Sequence, residues 1–86
     1  MNKIGVIGGM TPESTILYYQ LLNRFAAEHY GVGHTAQVLI NSVDFGIVSK
    51  HQENGEWDTL NKMMAKAAQN LEKAGAKCIL IGANTM

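Results

Sequence analysis

The sequence predicts an α/β fold: a three-stranded parallel sheet built in the order β-α-β-α-β, with strand order 2-1-3. Two observations carry this. Short apolar, β-branched runs recur around Ile4-Gly5-Val6-Ile7, Val38-Leu39-Ile40 and Cys78-Ile79-Leu80-Ile81, the pattern of strands buried on both faces rather than on one. Two long amphipathic stretches separate them, and right-handed crossovers then leave the first strand in the middle with one helix on each face.

Each element has its own local cause. Residues 3–7 form the first strand, closed by Gly8-Gly9, which demands a sharp turn. Thr11 reads as a helix N-cap, Pro12 as the first helical residue, and Glu13 as an acid placed against the positive end of the helix dipole. The helix runs to about His29, with Tyr18, Leu21, Leu22 and Phe25 inward and Asn23, Arg24 and Glu28 turned to water. Gly31-Val32-Gly33 ends it. Residues 35–43 form the second strand, and Gly46 with the polar run 49–55 reads as a loop. From 57 to 74 the apolar positions Trp57, Leu60, Met64, Ala67, Ala68, Leu71 and Ala74 keep a helical period, and Gly75 stands where the chain leaves a helix. Residues 77–83 form the third strand.

One helix per face covers about two strands, which leaves the third strand without a cover. Residues 1–86 are therefore expected to be the first part of a longer flavodoxin-like or Rossmann-like sheet, or to need a second chain. A chain of 86 residues buries only about 60–65% of the surface its unfolded form exposes, so it is marginal alone.

Seven Lys/Arg balance seven Asp/Glu, which removes the basic footprint that binding to nucleic acid needs. No apolar run approaches the roughly 20 residues that span a bilayer, and the amino terminus lacks a secretory leader. A soluble, cytoplasmic protein is expected. Cys78 is the one cysteine, so an internal disulfide is impossible, and no Cys/His spacing suits a metal. Cys78 lies at the start of its strand, which predicts a buried structural thiol rather than a nucleophile.

Ligands of open parallel sheets bind beyond the carboxyl ends of the strands. Here those ends are residues 8–14, 44–52 and 82–86. Gly8-Gly9 before a helix N-terminus suits an anion, and equally suits a bare tight turn. It is neither a P-loop nor G-x-G-x-x-G. Asn84 and Thr85 can orient a polar ligand or simply end the strand. Asp44, Lys50, His51, Gln52 and Glu53 read as a solvated loop, and Glu53, Glu56 and Asp58 as charge bias for the next helix. A nucleotide site would call for an acid about 20 residues past the turn; Asp44 stands 35 past Gly9.

Taken together, three segments resemble the amino-terminal part of the aspartate/glutamate racemase family. They are Ile4-Gly5-Val6-Ile7-Gly8-Gly9-Met10-Thr11-Pro12-Glu13-Ser14-Thr15, then Ser42-Val43-Asp44-Phe45 with Gln52 and Gly55-Glu56-Trp57, then Gly82-Ala83-Asn84-Thr85-Met86. The resemblance implies two similar α/β domains around a small amino-acid substrate such as aspartate or glutamate. It also implies cofactor-independent, two-base proton transfer at the α-carbon. Carried over, Met10 and Gln52 contact substrate, Asn84 and Thr85 hold its carboxylate or amino group, and Ala83 occupies the proton-transfer position. The family usually has cysteine there, or threonine, and a methyl group neither accepts nor donates a proton. The second domain and its catalytic cysteine are absent, so the isolated chain is expected to be inactive and to self-associate. The same pattern tolerates a hydantoin racemase or a decarboxylase. The alternatives are a non-catalytic carboxylate or amino-acid binding protein and, further off, a nucleotide-binding half-domain.

Overall fold

The computed structural model describes residues 2–82. Its elements run β1 (Ile4–Gly8), α1 (Pro12–Tyr30), β2 (Val38–Ser42), α2 (Phe45–Glu53), α3 (Trp57–Lys73) and β3 (Cys78–Ile81). The sheet is parallel, in the order β2-β1-β3. Register aligns Val6 with Ile40 and Leu80, and Ile7 with Asn41 and Ile81.

Strand alternation sorts these residues onto two faces. A Cβ at Gly8 would meet Thr15 of α1, whereas one at Gly5 would meet Leu71 of α3. The helices therefore lie on opposite faces, as the right-handed crossovers require. On the α3 face Ile7, Met10, Val48, Leu60, Ala67 and Leu71 form the main buried cluster, with Leu39, Val43, Met63 and Ile79 packed against it. On the α1 face Val6 and Ala26 are the fully buried apolar residues among those described.

α1 differs from the expected amphipathic helix. Ala26 is its buried residue; Tyr18 and Leu22 are half-buried, and Leu21 and Phe25 are 45% and 44% exposed. The small Ala26 lets the helix axis settle close to the sheet, and Leu21 and Phe25 are left on an exposed flank, where the Phe25 ring stacks on His29 at 3.9 Å. Asn23, expected in water, accepts the Ala36 N–H at 2.9 Å and ties down the approach to β2. Thr11 takes the N-cap position, but its side chain makes no cap bond, and its buried hydroxyl has no partner among the described residues.

The predicted loop at residues 49–55 is the second correction, because residues 45–53 are helical. Asp44 caps this helix by accepting the Gly46 N–H at 2.8 Å, and Val48, 1% exposed, anchors it in the core. Its apolar residues Phe45, Ile47 and Val48 are clustered rather than periodic, which hides it from a pattern search. Asp44→Ala should cost about 1 kcal/mol, read as a lower urea midpoint, whereas Asp44→Asn should be near neutral.

α3 matches its predicted span to within a residue, except that Trp57 is 59% exposed. Its exit is a Schellman turn: Ala76 N–H bonds Leu71 C=O and Gly75 N–H bonds Glu72 C=O, both at 3.0 Å, with Gly75 at φ +103° as such a turn demands. β3 is largely exposed, and Cys78 with it. The expected burial of that thiol fails because no helix covers the third strand on the α1 face.

The radius of gyration is 14.1 Å, against about 12 Å for a compact domain of this length. Thirteen large apolar side chains are exposed among the described residues, whereas the buried apolar set has eight members, two of them alanines. The fold is an open slab with uncovered faces.

Candidate functional site

The strands' carboxyl ends are tied edge to edge. Val43 N–H bonds Gly8 C=O and Gly82 N–H bonds Ile7 C=O, each at 2.8 Å. This brings the ends of β2 and β3 beside the glycine turn, which is where an open parallel sheet binds ligand.

Both glycines are structurally required. A Cβ at Gly8 would fall 2.7 Å from Thr15 Cγ2 and Oγ1. Gly9 has φ +91°, and a Cβ there would fall 2.3 Å from Val43 O and 2.4 Å from Ser42 Oγ. The turn thus lets the start of α1 and the end of β2 close against β1. Thr15 locks it: its hydroxyl accepts the Gly9 N–H at 3.1 Å and lies 3.4 Å from the Thr11 C=O, to which it donates. Beside the turn is a cleft of about 260 Å³ lined by Gly9, Pro12, Thr15, Ile16 and Ser42. Because Thr11 leaves its hydroxyl off the helix end, the first N–H groups of α1 keep the capacity to meet an anion.

Two of the expected substrate residues lie in described parts of the chain. Met10 is 3% exposed, with its side chain in the main core. Gln52 sits on α2 rather than in a loop. It is one turn beyond Val48 and so shares that residue's face, the face docked into the cluster that contains Met10. Met10 and Val48 belong to one buried cluster, and Gln52 follows Val48 by one turn of α2. Ala83, Asn84 and Thr85 lie outside the described residues. Thr15 and Ser42 were absent from the sequence-predicted site. Their signal was a hydroxyl in the first turn of α1 and another at the last position of β2.

α2 joins α3 through a polar turn. The Glu56 carboxylate accepts from His51 Nδ1 at 3.2 Å, in the tautomer protonated there, and from Asn54 Nδ2 at 3.4 Å. These acids and amides close the turn; Glu56 does not cap α3. The hydrogen bond from His51 first, then that from Asn54, holds the Glu56 carboxyl below the ordinary carboxylate range. A lowered folded-state pKa stabilises above the unfolded value and ceases to do so as pH falls through the folded one. Acidification below the ordinary glutamate range should therefore loosen this turn, seen as lower amide protection factors at Glu56 and Trp57.

Among the described residues no group of three or more His, Cys, Asp or Glu side chains assembles as a metal site, and no helix is long and apolar enough to cross a membrane.

A glycine turn feeding a long helix at the carboxyl edge of a parallel sheet defines the class: an open α/β domain with β1 at its centre. The chain belongs to the Asp/Glu/hydantoin racemase family, whose model matches residues 7–86. It is similar to the crystal structure of a candidate Asp/Glu racemase from Yersinia pestis, with 40% identity and a TM-score of 0.95 over 100% of this chain. It is also similar to that of an aspartate racemase homologue from Pyrococcus horikoshii OT3, with 38% identity and a TM-score of 0.82 over 99% of this chain. This chain spans 37% of the length of each.

Proposed function

We propose that this chain supplies the amino-terminal half of a cofactor-independent amino-acid racemase site, one that binds a small acidic amino acid such as aspartate or glutamate. The observation that carries the reading is the family match running through the glycine turn and both later motifs to residue 86. In this reading the α1 N-terminus and the side chains of Asn84 and Thr85 meet the substrate's carboxylate or amino group. Gln52 approaches from α2. Met10 contributes through its main chain, since its side chain is taken up by the core.

Racemisation through a carbanion-like transition state needs a base and an acid on opposite sides of the α-carbon, with donors placed where charge develops. Ala83 holds the family's proton-transfer position with a group that transfers no proton, and the opposite acid/base belongs to a second domain beyond these residues. This half therefore binds and orients. The exposed third strand and α1 flank are completed by that further domain or, in the isolated chain, by a second copy.

The purified chain incubated with L- or D-aspartate or glutamate in D₂O is expected to be thermally stabilised by the ligand and to place no deuterium at the α-carbon. Deuterium in the recovered amino acid would overturn the claim that this half is silent in proton transfer. Failure of all four ligands to raise the melting temperature would overturn the binding role. A second reading, a binding protein that keeps the pocket without turnover, is favoured specifically by Ala83. It predicts the same two results for any longer form of the protein.

A further inference from the structure

A groove separate from the glycine turn runs between the outer edge of β2 and α3. It encloses about 410 Å³, more than the cleft at the turn. The two are kept apart by strand alternation: Ser42 lines the cleft on the α1 face, and its neighbour Asn41 lines the groove on the α3 face. Val43, Met63 and Ala67 give the groove an apolar floor, with Ala67, 2% exposed, forming its deepest part where the groove meets the core. Lys62 and Lys66 stand on its rim.

The charge is one-sided. None of the residues lining the groove is acidic. Neither lysine has an ion-pair partner among the described residues, and Asp58, one turn before Lys62, makes no such pair with it. Two like charges at i and i+4 on one helix repel, so an anion between them removes a repulsion as well as adding an attraction. The amide pair on the wall points the same way. Asn70 Nδ2 donates to Asn41 Oδ1 at 3.2 Å, which holds Asn41 in place and leaves its Nδ2 donors available. The charged groups offered are all donors, above a floor that favours an apolar body.

We propose that this groove binds a small organic anion, with its carboxylate or phosphate head between Lys62 and Lys66 and its apolar body on Val43, Met63 and Ala67. The site is independent of the racemase reading and stands or falls separately from it.

The test is NMR titration of the chain with naphthyl phosphate and with naphthoate, which separate the two head groups. Neutral naphthol and inorganic phosphate serve as comparisons. Both aromatic anions, or one of them, are expected to shift the side-chain amides of Asn41 and Asn70 and the Met63 methyl. The double substitution Lys62→Gln and Lys66→Gln should weaken binding about tenfold, the sum of two modest surface ion pairs, while Lys62→Arg with Lys66→Arg should retain it. Added salt should weaken it too. The proposal is overturned if the glutamine variant, shown folded by its amide spectrum, binds as tightly as the parent chain. It is overturned equally if naphthol or inorganic phosphate alone binds as well as the aromatic anions, or if the shifts fall on the exposed residues of α1 instead.

Discussion

Gly9→Ala is expected to remove a large part of the stability of this domain. At φ +91° an L side chain is strained whatever surrounds it, and here the new Cβ would also lie 2.3 Å from Val43 O and 2.4 Å from Ser42 Oγ. The carbonyl is main chain and cannot swing aside, so β1 and the end of β2 must separate. Strain and overpacking together should cost roughly 3–5 kcal/mol. The whole stability of a domain this size is roughly 4–13 kcal/mol. Thermal unfolding should fall by more than about 12 °C. Gly33→Ala supplies the control: its φ is +94°, but nothing lies within 4 Å of the added carbon. It should cost only the backbone term, about 1 kcal/mol. Equal losses for the two variants would show that the turn does not hold the sheet edge against β2, and the account of the ligand edge given above would fail with it.

Val48→Asp should be comparably damaging, through a different mechanism. Val48 is 1% exposed and is the buried residue of α2. A carboxylate in its place is taken out of water with no partner, so either α2 leaves the core or the acid stays protonated. A loss of about 3–5 kcal/mol is expected at neutral pH, against about 1–3 kcal/mol for Val48→Ala, which leaves only a cavity. The aspartate variant should regain stability as pH falls into the carboxylate range, since protonation removes the buried charge; the alanine variant should not. Amide exchange in α2 should rise before that of β1. Because Gln52 rides on the same helix face, the variant should also lose any amino-acid-dependent stabilisation. A Val48→Asp chain no less stable than Val48→Ala, with no pH dependence, would mean that α2 is not docked.

The uncovered surfaces follow from how unevenly the three helices divide between the two faces of the sheet. α3 and α2 close one face of the sheet well, and every member of the main cluster lies there. On the other face α1 contributes Ala26 as its one buried residue, and Leu80, Ile40 and Phe25 stay 37–45% exposed. The expected cover is a further helix, and the relatives, of which this chain spans 37%, have the length to supply it.

Parallel strands, the limits of α1 and α3, and topology were determined by the sequence alone, because each has a cause within a few residues. Continuous apolar runs mark strands buried on both sides, Pro12 starts α1, Gly31 and Gly75 end helices in conformations other residues avoid, and handedness fixes the order β2-β1-β3. The glycine turn and its family motif were legible for the same reason. What tertiary structure decided depends on contacts distant in sequence. Nine residues of α2 have too little periodicity to announce a helix, and they hold because Asp44 caps them and Val48 finds Met10 and α3. The role of Thr15 appears only when its hydroxyl folds back onto Gly9. Which side of α1 is buried was set by the approach of Ala26 to the sheet, not by where its largest apolar residues fall. The exposure of Cys78 was set by the lack of a covering helix on that face. Local chemistry chooses the elements, whereas burial depends on which surfaces are available to meet, and no short window of sequence contains that information.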